Sequence, residues 1–285
     1  KLINSNMILQ SIAWDVDPEI FSLGSFKLQY YGLLFVSGIA LCYVCLKWIF
    51  KRESLSQDNL ELLTMYGIFG IFIGARLGHC IFYEPSYYLA NPLEILLPIQ
   101  KGLDGGYSFT GFRGLASHGG TAGLIVALYF YVKKTKQPIM STLDLIGIVA
   151  PLGAGFIRLA NLMNSEIIGM PADVPWAFIF KRIDDIPRHP AQLYESICYF
   201  LIFGLHFFLY KKYGHRLKNG YFFGSAIALI YIARFFIEFV KERQVAFEEG
   251  LLLDMGQILS IPFVLIGLYF MIRSYKKSGQ ELSEN

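Results

Sequence analysis

The sequence predicts an all-α polytopic membrane protein: seven transmembrane helices with small extracytoplasmic loop and strand elements. Three observations predict it. Apolar residues make up 54% of the 285 positions and charged residues only 16%, against roughly 25% charged in a soluble domain. The mean hydropathy is +0.46. Lys and Arg (25) nearly balance Asp and Glu (22), and the basic residues fall in short clusters between long apolar runs. That distribution argues against a nucleic-acid partner, which needs a basic patch on one face, and points to the bilayer.

A hydrocarbon core of about 30 Å takes roughly 20 apolar residues per helix. Residues 14–26 read as irregular or short extended structure, and nothing before Tyr31 combines a basic start, an apolar core and a small-residue cleavage site. The first span, 31–50, is therefore expected to be the topogenic segment. The others are 62–83, a shorter one over 116–132, then 143–163, 193–210, 221–240 and 257–273. Residues 84–115 and 164–192 form two long loops, the second with a strand expected over 174–180 between Pro171 and Pro187. The whole chain, 1–285, reads as one integral-membrane domain. Cys42, Cys45, Cys80 and Cys198 all lie in apolar stretches, and the C-x-x-C at 42–45 has no second pair or nearby His to complete a metal site.

Basic residues mark the cytoplasmic side. One set of span ends carries thirteen: Lys47, Lys51, Arg52, Lys133, Lys134, Lys136, Lys211, Lys212, Arg216, Lys218, Arg273, Lys276 and Lys277. The opposite set carries nine over much longer segments. The N-terminus and both long loops are thus expected outside, and the C-terminus inside.

The informative residues are polar groups inside the apolar runs, where a charged side chain costs about 2.5–3.5 kcal/mol on insertion scales. They are Arg76 and His79 in the second span, Arg158 and Asn161 in the fourth, and Arg234 and Glu238 in the sixth. Arg234 and Glu238, four apart, share a helix face, where an ion pair would serve equally as a structural bridge or as part of a site. Arg158 has the neutral Asn161 at i+3 and no carboxylate in its segment before Glu166, so its counter-ion must come from elsewhere. Its planar fork suits a headgroup phosphate, although an arginine at a helix end can also snorkel to the interface. Asn161, Asn164 and Glu166 could then hold a polar headgroup. His118, opening the third span as Ser117-His118-Gly119-Gly120, offers an imidazole able to take a proton near neutral pH. Pro187, Arg188, His189 and Pro190 open the fifth span, with Glu195 in its first turn near the positive dipole end. Tyr31, followed by Gly32, could present a hydroxyl to a ligand.

Several blocks, in this order, carry a likeness: Tyr30-Tyr31-Gly32-Leu33, Gly74 to Gly78 around Arg76, Asp104-Gly105-Gly106, His118-Gly119-Gly120, residues 153–169, Pro187 to Glu195, Arg234-x-x-x-Glu238, and Met255 to Pro262. In them the chain resembles the prolipoprotein diacylglyceryl transferase family along nearly its whole length. The resemblance implies a seven-helix bacterial plasma-membrane protein with its N-terminus outside. It implies transfer of the diacylglyceryl group of phosphatidylglycerol to the lipobox cysteine thiol of a prolipoprotein signal peptide, forming a thioether and releasing glycerol phosphate. No metal or organic cofactor is implied. Matched position by position, Arg158 is the family's lipid-binding arginine and Arg234 its second essential one. Asn161, Glu166 and Gly169 fall in the signature block, and Tyr31, His118 and Glu238 match other residues implicated in activity. In other members His-Gly-Gly follows Asp-Gly-Gly almost directly. Here an insertion brings Thr110 into competition with His118, which is preferred because the third apolar helix begins there.

Two other classes of function compete on the residues alone. A small-solute or ion transporter would use intramembrane Arg and Glu as a pathway, but the charges gather toward the outer half instead of continuing to the cytoplasmic side. A scaffold or receptor would use the same charges as structural pairs only.

Overall fold

The computed structural model describes residues 11–23, 26–102, 105–109, 114–214, 217, 220–242 and 253–283. Two compact units emerge, Lys47–Ile139 and the remainder of the chain, Lys1–Leu46 with Met140–Asn285.

In the Lys47–Ile139 unit, α2 (Gln57–Phe82) is followed by the short helices α3 (Pro85–Ala90) and α4 (Leu93–Leu96), the hairpin β4 (Ile99–Lys101) and β5 (Tyr107–Phe109), and α5 (Ser117–Thr135). Helices α2 and α5 meet through small residues at four-residue spacing, Gly70, Gly74 and Gly78 facing Gly119 and Gly123. A Cβ on Gly74 would lie 2.4 Å from the Gly119 carbonyl, and one on Gly123 would lie 2.0 Å from that of Gly70. The backbones touch because no side chain intervenes. Arg76, 6% exposed, is satisfied by the carbonyls of Glu94, Ile95 and Gly114 and by the Tyr88 hydroxyl, which ties α3 and α4 to the end of α2. The Glu94 carboxylate in turn accepts from the Tyr87 hydroxyl (2.7 Å) and the Lys101 amide (2.9 Å). The loop expected over 84–115 is therefore largely built structure among its described residues; Leu103, Asp104, Thr110 and Arg113 lie outside them.

The larger unit begins with β1 (Ile12–Trp14), the hairpin β2 (Glu19–Leu23) and β3 (Phe26–Gln29), and α1 (Tyr30–Arg52), whose last turns pass into the other unit. It continues with α6 (Ile139–Met163), β6 (Phe178–Phe180), β7 (Pro187–Arg188), α7 (Ala191–Tyr213), α8 (Tyr221–Glu238) and α9 (Met255–Ser283). Polar side chains fasten the spans where a hydrocarbon surround offers no water to compete. Ser196 of α7 donates to the Gly155 carbonyl of α6 (2.9 Å), and His206 lies 3.0 Å from both the Gly147 carbonyl and the Ser225 hydroxyl. Asp144 accepts from the backbone amides of Gly220 (2.7 Å) and Phe223 (3.0 Å), so a carboxylate on α6 caps the N-terminus of α8. A sheet of order β1-β6-β7 completes the unit, parallel between β1 and β6 and antiparallel between β6 and β7. Its core is Leu162, Ile168, Phe178 and Phe180 with Trp14 and Leu193, and the Trp14 indole donates to the Leu162 carbonyl at the end of α6. The strand expected over 174–180 is realised as its last three residues.

Six described helices, α1, α2, α6, α7, α8 and Met255–Ser274 of α9, are long and apolar enough to cross a bilayer. The seventh expected span is α5, 19 residues and about 28 Å long, diluted by glycines and two lysines. Its length fits a membrane, and its glycine face against α2 accounts for the lower hydropathy.

Candidate active site

The signature block sits where α6 ends. Past Met163 the chain turns sharply, with Ser165 at φ 56° and Ile167 at φ 57°. Left-handed backbone is unfavourable for any residue with a side chain and most of all for a β-branched one, so this turn is held by its surroundings. Glu166 donates its amide to the Asn161 carbonyl (2.9 Å), and the buried Gln192 of α7 donates to the Glu166 carbonyl (2.9 Å). Gly169 donates to the His189 carbonyl (2.9 Å), while Met170 donates to Val240 (2.9 Å) and Glu242 to Ile168 (3.2 Å). The block is thereby clamped between the start of α7 and the segment after α8.

Its side chains form one network. Arg158, 14% exposed at the side chain, donates from Nη1 to Asn161 Oδ1 (3.1 Å). Asn161 Nδ2 donates to Glu166 Oε2 (2.9 Å), and Asn164 Nδ2 to Glu166 Oε1 (3.0 Å). Tyr31, at the start of α1, lies within electrostatic reach of both Glu166 and Arg158.

The counter-ion of Arg158 is the carboxylate of Glu195, whose Oε2 pairs with Nε. This is the anion from another segment that Arg158 requires; in the sequence Glu195 resembles a first-turn acid, because linear distance conceals that α7 packs beside α6. One turn further along α7, the buried Tyr199 takes a hydrogen bond from Arg158 and also feels the charges of Glu195 and Arg234. Tyr199 thus lies within electrostatic reach of both arginines, from α6 and α8.

Arg234 lies with its guanidinium carbon 5.9 Å from the Tyr231 ring centroid, and its Nε is buried without a hydrogen-bond partner among the described residues. Among the described residues Glu238 pairs with Lys241, and no ion pair joins it to Arg234. Helix α8 ends at Glu238, the chain turns back through the Lys241 amide to the Glu238 carbonyl (3.2 Å), and Lys241 Nζ lies 3.4 Å from Glu238 Oε2. The local turn brings this lysine to the carboxylate.

His118 belongs to the Lys47–Ile139 unit. It is exposed and sits against Tyr83 (centroids 5.8 Å, stacked) and Phe82 (5.6 Å, edge-on), with Tyr83 also stacked on His79 at 5.4 Å. In the larger unit, His189 Nδ1 is 3.1 Å from the Tyr194 hydroxyl, which accepts from the Trp176 indole at 2.8 Å. Burial lowers the pKa of His189 below its ordinary value, leaving it neutral at pH 7. Arg188 pairs with Asp184 and with Glu242 (3.0 Å), and its guanidinium holds the Asp184 carboxyl below the usual carboxylate range. Among the described residues no three His, Cys, Asp or Glu side chains converge so as to hold a metal ion.

Six long apolar helices, with arginines carried among them and one of these beside a braced polar turn, define a multi-pass membrane protein. The sequence profile of the prolipoprotein diacylglyceryl transferase family matches residues 18–273. A phosphatidylglycerol–prolipoprotein diacylglyceryl transferase of Bacteroides fragilis is 52% identical over 274 residues, covering 96% of this chain and 99% of the relative. Proteins of the same name from Chloroherpeton thalassium (46% identical, 95% and 97% covered) and Porphyromonas gingivalis (39%, 93% and 95%) are also similar. The chain belongs to the prolipoprotein diacylglyceryl transferase family.

Proposed function

We propose that the protein moves the diacylglyceryl group of phosphatidylglycerol to the lipobox cysteine of a prolipoprotein, in a bacterial inner membrane and with its site toward the extracytoplasmic leaflet. The bonded network of Arg158, Asn161 and Glu166, with Arg234 within electrostatic reach of the same Tyr199 that Arg158 meets, carries this reading. The cysteine sulfur attacks the glycerol carbon that bears the phosphodiester. A carbon–sulfur bond forms, the carbon–oxygen bond breaks with its electron pair, and glycerol phosphate departs.

Charge grows on the phosphate oxygens as that bond breaks, and preorganised cations in a dry site stabilise it far better than water does. Arg158 supplies a planar fork and Arg234 an unsatisfied buried Nε. Tyr31, Asn161 and Glu166 hold the headgroup, and Gly169 keeps the turn beneath it closed. Glu238 acts with Lys241 at the α8 end of the site. A thiol with an ordinary pKa near 8.5 needs modest help to lose its proton, and His118 is the acceptor assigned to it.

Purified protein mixed with phosphatidylglycerol vesicles and a lipobox-cysteine peptide yields, on this reading, a peptide heavier by one diacylglyceryl group in mass analysis. Arg158→Ala abolishes the product while leaving the protein folded, and His118→Asn lowers the rate roughly 100-fold or more. An unmodified peptide with wild-type protein would sink the reading. Full rate in His118→Asn across pH would remove the proton acceptor alone.

A further inference from the structure

The larger unit contains a buried carboxylate for which the proposed reaction has no use. The Glu195 side chain is 1% exposed, a depth at which an acid is almost never found unless it is paired. Its ion-pair partner is Arg158, through Nε, and neither of its oxygens completes a hydrogen bond among the described residues. Replacing the pair with apolar side chains would be the less costly way to pack two helices, so stability alone does not account for it.

The neighbours of Glu195 show what it constrains. Arg158 is held at Nε by Glu195 and at Nη1 by Asn161, so two of its three nitrogens are tethered and the plane of the fork is set before a ligand arrives. On the same face of α7, Gln192 holds the backbone of Glu166 and Tyr199 receives Arg158 within electrostatic reach of Arg234. One helix face therefore fixes both the arginine and the turn that follows it. Two arginines with no anion among them would also bind a phosphodiester tightly in its ground state, which lowers KM without accelerating the reaction. A carboxylate paired with one of them offsets that attraction while leaving the oriented fork to act as charge develops.

We infer that Glu195 is a positioning residue for diacylglyceryl transfer, fixing the Arg158 fork and moderating the charge of the arginine pair; this rests on the function proposed above. Its signature is a split between kcat and KM. Glu195→Gln keeps the shape and an acceptor oxygen but raises the net charge of the site by one. The expected result, per folded molecule, is a kcat reduced roughly 10- to 100-fold with a KM for phosphatidylglycerol unchanged or lowered. Glu195→Asp, which retains the charge but shortens the reach, should recover part of the lost kcat.

The assay uses the full chain in detergent with phosphatidylglycerol and a lipobox peptide, and folded protein is quantified by gel filtration and thermal melting. A glutamine variant with wild-type kcat, or one whose loss lies wholly in a raised KM, overturns the inference and leaves the function intact. Where Glu195→Gln does not fold, Glu195→Asp decides: folded protein with reduced kcat supports positioning, and loss of both variants to misfolding makes Glu195 a structural counter-ion. An inactive wild type removes the proposed function and this inference with it.

Discussion

Arg76, Arg158 and Arg234 all stand in apolar helices, and each is accommodated differently. Arg76 is closed off by three backbone carbonyls, a tyrosine hydroxyl and the face of the Tyr88 ring at 4.8 Å, as suits a residue that joins segments together. Arg158 is braced by Glu195 and Asn161, and Arg234 keeps a buried Nε with no partner among the described residues. Incomplete satisfaction in a low-dielectric setting is costly to keep, so the gradient from Arg76 to Arg234 separates scaffold from site. Gly169 illustrates the scaffold side. A Cβ there would lie 2.5 Å from the His189 carbonyl and 2.7 Å from that of Val240, both backbone atoms. Gly169→Ala must therefore push the signature turn away from α7 or from the chain after α8. We expect a destabilisation of about 1–3 kcal/mol in denaturant melts and loss of most transfer activity; wild-type stability and rate would show that the turn has room. The arginines themselves were legible in the sequence because the cost of charge in hydrocarbon isolates them. The brace on Arg158 was not, because Glu195 lies 37 positions away and resembles an ordinary helix-start acid.

The spans were readable as elements because hydrophobicity over some twenty residues is a strong signal, whereas the connections were not. Helices α3 and α4 hold six and four residues, too few for periodicity, and depend on Arg76 and Glu94 for their place. The Arg234–Glu238 pair failed for a different reason: i,i+4 spacing permits a contact, but the turn at Lys241 is an end effect that spacing does not encode. The clamp around the signature turn is similarly non-local. Arg188 bridges Asp184 and Glu242, so it joins the start of α7 to the segment beyond α8. Asp184 titrates below its unfolded value because Arg188 favours its charged form, so folding gains stability that is complete above the unfolded carboxylate range. That contribution disappears as pH falls from about 5 through the depressed value. Asp184→Asn should accordingly lower the melting temperature at pH 7 and flatten its fall on acidification. Parallel melting curves for both proteins between pH 7 and pH 3 would show that the clamp contributes nothing.

For the whole molecule, the decisive property is which face of the membrane receives the site. The reaction proposed requires the cysteine of a protein already emerging outside, so the turn after α6 and the start of α7 must open to that side. Charge asymmetry supports this, because Lys133 and Lys134 close α5 and Lys211 and Lys212 close α7. Lysines and arginines clustered close to the span ends dominate orientation. The four native cysteines lie within helices and can be replaced by serine to give a silent background. In that background Asp185→Cys, at a side chain 84% exposed, should react in intact spheroplasts with a membrane-impermeant maleimide. Lys134→Cys, at the far end of α5, should react only after the membrane is opened. The reverse pattern would turn Arg158 and Arg234 toward the cytosol, where no translocated cysteine reaches them, and would exclude the transfer reaction.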